Sequence, residues 1–128
     1  DGVSGDLLGE AQFAYFKARE AGFPAEALQW LVGGQRLATE VFGVPIGPLE
    51  AGAAADLVVL DYEPATPLTP ENLAGHVAMG LEAGSVDAVM VDGAWRVWAR
   101  QMLSVDLHEV RARATQAAQK VWSRMAEL

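Results

Sequence analysis

Chemistry in this chain has to come from carboxylates, hydroxyls and two histidines, because cysteine is absent. The lack of cysteine removes any thiolate nucleophile and any disulfide framework. His76 is the histidine most open to a chemical reading, since imidazole serves both metal sites and general bases. It lies three residues after Leu73 on a predicted short helix. A helical ligand pair needs a second ligand one turn away, or a carboxylate cluster nearby. Neither stands beside His76, so a structural or pocket-rim histidine is the preferred reading. His108 falls in the first turn of the last predicted helix and is expected to be solvated. At the amino end Asp1 is followed by Gly2, Ser4 and Asp6. From the residues alone, Asp1 is a terminal carboxylate, Ser4 a helix cap and Asp6 a favourable first-turn charge. Trp95 and Trp98 are three apart in a predicted strand, hence on opposite faces, with one ring expected in a core and the other facing further protein.

A short series of elements must position these residues. A helix is predicted over residues 6–21, capped by Ser4 and stopped by Gly22. Leu7, Ala11, Ala14 and Ala18 recur at helical spacing, and Leu8, Phe13, Tyr15 and Phe16 make the helix apolar on most sides, so burial on more than one face is expected. Pro24 suits the first position of a helix running through Val32. Gly33-Gly34 is expected to break or bend it before a second run over 35–42 that ends at Gly43. Residues 56–61 read as a strand whose unbroken apolar centre asks for cover on both faces. Pro64, Pro67 and Pro70 make 62–69 an extended connector, and Thr69 can cap a short helix that turns Leu73 and Val77 inward. Asp92-Gly93 predicts a tight hairpin between strands over 86–91 and 94–99, because both turn positions want positive φ. Asp106 opens the last helix, with Val110, Ala114, Ala117, Val121 and Met125 on one stripe. Three strands at most make one small sheet, which needs a second layer.

The composition narrows the function classes. The chain has 128 residues and a net charge of -8. Its basic residues gather in the last helix, as Arg111, Arg113, Lys120 and Arg124, and read as a solvated face without the footprint of a nucleic-acid binder. No apolar run approaches the roughly 20 residues of a membrane span. No signal peptide is visible, the first residue is not Met, and a cytoplasmic location is expected. Hydrophobic residues make up 52% of the chain, above the usual share of about 45–50%, as if some surface were meant to pack against further protein.

Residues 46–61, I-G-P-L-E-A-G-A-A-A-D-L-V-V-L-D, closely resemble the I-G-x-L-x-x-G-x-x-A-D-L-V-V-L-D segment of the amidohydrolase superfamily. In that superfamily the segment leaves a (β/α)8 barrel and enters a small β-sandwich. Asp1-Gly2 looks like the end of the family's G-T-D-G motif at the tip of the eighth barrel strand, and 86–97 resembles its V-x-x-V-x-V-x-G-x-x-V hairpin. The D-Y-E-P-A-T-P-L-T-P-E-N-L-A-G-H run over 61–76 and the L-S-V-D tail over 103–106 are similar to the SsnA-type aminohydrolases, among the deaminase and chlorohydrolase branches.

The resemblance implies an α/β fold built from the carboxy-terminal end of a barrel (residues 1–44), part of the composite β-sandwich (45–105) and a carboxy-terminal helix (106–128). It implies a hydrolase that attacks a C–N bond with metal-activated water. Asp1 would be metal ligand and proton acceptor for that water, and Ser4 a substrate contact. Asp56 would be a structural mark of the junction. A divalent metal is implied, zinc by default with iron or manganese as alternatives, and its histidine ligands would lie upstream. The expected partners are the rest of the parent polypeptide, a small nitrogenous substrate and further copies of the chain, with no nucleic acid and no membrane. The isolated chain is expected to be inactive. A non-catalytic sandwich support or dimerisation domain, and a free-standing α+β binding module, are the rival readings.

Overall fold

The computed structural model describes residues 5–127. Helix α1 spans Leu7–Glu20. Its cap is Asp6, at an extended backbone position, whose carboxylate accepts the Gly9 N–H at 3.0 Å. The helix begins one residue later than expected, which moves the capping role from Ser4 to Asp6. Ser4 and Asp1 themselves lie outside the described residues.

Helix α2 is a single helix over Ala27–Phe42, running straight through Gly33-Gly34. Glycine weakens a helix by about 1 kcal/mol but keeps its N–H, so the ladder survives where tertiary contacts hold both ends. Both ends are held. Ala27 is buried at the start, and near the end the Thr39 hydroxyl accepts the Ile46 N–H at 2.9 Å. Pro24 stays in the connector, and Gly43, in the left-handed conformation, closes the helix.

The sheet has four antiparallel strands in the order β1-β2-β3-β4: Leu57–Leu60, Val86–Val91, Ala94–Trp98 and Gln101–Met102. The β2–β3 hairpin turns at Asp92 and Gly93, with φ of 49° and 73°. The additional strand, β4, exists because Ala99 and Arg100 make a second tight turn at φ 47° and 63°. Neither residue is a usual positive-φ residue, so this turn is silent in the sequence. Strand β1 is an edge strand. Val58, Val59 and Leu60 remain exposed, so nothing among the described residues supplies the two-sided cover that its apolar run asks for.

The main cluster of the core sits where helices meet, and Ala88 of β2 is the one buried residue of the sheet among those described. Ala27 of α2 packs with Val77, Ala78 and Leu81 of and after α3 (Leu73–Met79), with Leu8, Tyr15, Leu28, Leu31 and Tyr62 around them. Gln12 of α1 donates from its amide nitrogen to the Val77 and Leu81 carbonyls at 2.8 and 2.6 Å, satisfying acceptors at the open end of α3. α1 covers this core with one side only. Leu7, Phe13 and Phe16 are exposed, contrary to the expected many-sided burial.

Helix α4 spans Leu107–Met125, with the Asp106 carboxylate accepting the His108 and Glu109 N–H groups. No residue of α4 is buried. The chain exposes 10026 Å² in all. A self-contained protein of 13.6 kDa exposes about 6,600 Å².

Candidate functional site

Where β1 hands over to the proline-rich connector, three polar side chains converge. Tyr62 follows the strand, Thr66 lies in the connector, and His76 stands on α3. The connector bends at Ala65 and Thr66 and α3 then folds back, bringing residues of unrelated spacing together. The Tyr62 hydroxyl lies 2.7 Å from His76 Nδ1, and the Thr66 hydroxyl 3.3 Å from Nε2. The two rings also meet edge to face, with centroids 5.7 Å apart. Hydroxyls both donate and accept, so either neutral tautomer of His76 satisfies both contacts. Thr66, Asn72, Gly75, His76, Met79 and Gly80 line an open depression here.

Both ring nitrogens of His76 are engaged. Coordination of a metal would first have to break one of these bonds. The geometry therefore agrees with the rim-histidine reading. Tyr62 and Thr66 went unnoticed in the sequence because neither stands at helical or strand spacing from His76. The turn before α3 is also built from side chains. Asn72 Oδ1 accepts the Thr69 N–H at 2.8 Å, and Asn72 Nδ2 donates to the Pro67 carbonyl at 2.8 Å. The Thr69 hydroxyl, and then the backbone at Glu71, hold the exposed Glu71 carboxyl below its ordinary range.

The carboxylates flanking β1 are structural. Asp56 accepts the Asp92 N–H at 2.7 Å, tying the entry of β1 to the hairpin turn. Asp61 pairs with Arg100 at 2.8 Å, fastening the other end of β1 to the β3–β4 turn. His108 is exposed. Trp95 is half-buried and Trp98 exposed, as alternation along the strand requires, yet their rings meet edge to face with centroids 4.8 Å apart. The two indoles thus differ in burial as expected but touch each other at the end of the strand.

Among the described residues, no three His, Asp or Glu side chains are grouped so as to hold a metal ion. These side chains do not fit a complete metal centre, and Asp1 and Ser4, the residues singled out for chemistry, lie beyond them. No helix among the described residues is long and apolar enough to cross a membrane.

No solved structure matches this chain. Residues 1–96 match the Amidohydrolase family, whose members are hydrolases and generally depend on a metal. The match takes in the 46–61 segment, the Tyr62–His76 site and the β2–β3 turn, and stops before β4 and α4. With residues 1–96 of 128 accounted for, the chain belongs to the Amidohydrolase family.

Proposed function

We propose that this chain is the carboxy-terminal share of a metal-dependent hydrolase that cleaves a C–N bond in a nitrogen heterocycle or amidine-like group. The observation that carries the reading is the family match across residues 1–96. Residues 1–44 would end the catalytic barrel, 45–105 would complete a composite sandwich with strands from elsewhere, and 106–128 would form an added helix. Exposed Val58, Val59 and Leu60 on β1, with Leu37, Val41 and Phe42 on α2, support this division, because those apolar side chains lack cover. They are also the opposite of what a free-standing binding module presents.

In this reading Asp1 is the chain's contribution to the metal site and the group that takes the water's proton, and Ser4 touches the substrate. The remaining ligands belong to other parts of the parent. The ion would be zinc, with iron or manganese as alternatives. The similarity of 61–76 and 103–106 to SsnA-type proteins favours a deaminase- or chlorohydrolase-like substrate.

The test uses the full-length polypeptide. Metal content is measured by mass spectrometry, and ammonia or chloride release is followed across a panel of amino- and chloro-substituted heterocycles. Asp1→Asn is expected to retain the fold and lose about 10²–10⁴-fold in rate. An undiminished Asp1→Asn enzyme would refute the assigned role. Turnover by the 128 residues alone would refute the division of labour.

A further inference from the structure

Helix α4 combines exposure, amphipathicity and a charge opposite to that of the rest of the molecule. Leu107, Val110, Val121, Trp122 and Met125 are all exposed on it. Arg111, Arg113, Lys120 and Arg124 stand against Glu109 alone, so α4 carries +3. With the whole chain at -8, everything outside α4 stands at -11. Among the described residues, the ion pair α4 makes is internal, Arg113 to Glu109 at 3.9 Å. Arg111, Lys120 and Arg124 make none with the described residues. The helix also lies beyond the family match, so the shared core of the family does not require it.

We infer that α4 is a docking arm that lies against the acidic body of a second copy of this chain. A net charge of +3 facing -11 attracts at range and orients the encounter. The same count opposes the obvious alternative, α4 against α4, which would set two basic helices side by side. Ala114, Ala117 and Ala118 keep the middle of the helix thin, so another element can approach closely. A phosphate polymer or anionic membrane fits less well, because the -11 remainder would be repelled with the helix it carries.

Lysine placement provides the test. This chain has lysine at positions 17 and 120 only, and Lys17 is already paired with Glu20. The intact polypeptide, mixed from light and ¹⁵N-labelled preparations, is treated with a carbodiimide that joins amines to carboxylates. Light–heavy peptides linking Lys120 to a carboxylate within residues 5–100 are the expected result. The triple variant Arg111→Glu/Lys120→Glu/Arg124→Glu should keep its helical circular dichroism and weaken self-association at least about tenfold by sedimentation equilibrium. Links confined to one copy, unaltered self-association in the triple variant, or a monomer throughout would each overturn the proposal. So would binding of the protein to anionic phospholipid vesicles with no link between copies. These readouts involve no turnover, so they stand or fall separately from the hydrolase reading.

Discussion

Gly47 shows how the 46–61 motif works at the level of single atoms. Its φ of +107° lies outside what side chains adopt comfortably, and a Cβ there would run into the Gln35 side chain on α2. Gly52, the other motif glycine, has φ of +93° but open space around it. Gly47→Ala should therefore carry both strain and displacement, and Gly52→Ala strain alone. Because Gln35 is exposed and flexible, the expected losses in urea unfolding are about 1.5–3 kcal/mol for the first and about 1–2 kcal/mol for the second. Equal losses would mean that Gln35 moves aside freely and that the motif's first glycine has no packing role. Other residue-scale facts were hidden from sequence reading for a common reason. Asp56 meets the Asp92 N–H, and Gln12 meets the Val77 and Leu81 carbonyls, across loops whose length sets no period. The site at His76 is legible only to the extent of its histidine. Tyr62 and Thr66 became its partners through the path of the connector, which prolines stiffen but do not aim.

At the scale of elements, legibility followed the strength of local chemistry. Asp92-Gly93 announced the β2–β3 turn because those residue types tolerate its backbone angles, and Asp106 announced α4 because a carboxylate satisfies orphan N–H groups. The Ala99-Arg100 turn carries no such mark, so β4 could not be read. The Gly33-Gly34 pair misled in the opposite direction. It signals a break, but the Ala27 and Thr39 anchors outweigh a propensity cost of about 1 kcal/mol per glycine. This has a measurable consequence. A Cβ at either glycine would meet nothing within 4 Å. Gly33→Ala and Gly34→Ala should each raise the stability of the isolated chain by about 0.5–1 kcal/mol, read from thermal melts of its helical signal. In the full-length polypeptide the same change would instead destabilise wherever another segment lies against that face of α2. A loss in the isolated chain itself would show that the helix is not continuous there.

For the whole molecule, area decides what kind of object this is. The excess over a self-contained fold of this mass is roughly 3,400 Å², comparable with the largest class of obligate interfaces. The core cannot offset that exposure, since three of its five buried residues are alanines: Ala27, Ala78 and Ala88, with Val77 and Leu81. Burial of an alanine methyl contributes far less than the roughly 1.5–3 kcal/mol of a full aliphatic or aromatic side chain. Phe13, Phe16, Leu49 and Val58 are each more than half exposed and represent the larger potential gain, available only against other protein. The isolated chain should therefore bind the dye ANS, associate in a concentration-dependent way at micromolar levels and melt over a broad range. In the proposed parent, co-expression with the barrel segment should abolish the dye signal and sharpen the transition, because the same side chains would then enter a common core. A dark, monodisperse monomer with a single sharp melt would mean that these faces carry no unmet demand, and the proposed division between this chain and a catalytic barrel would fail with it.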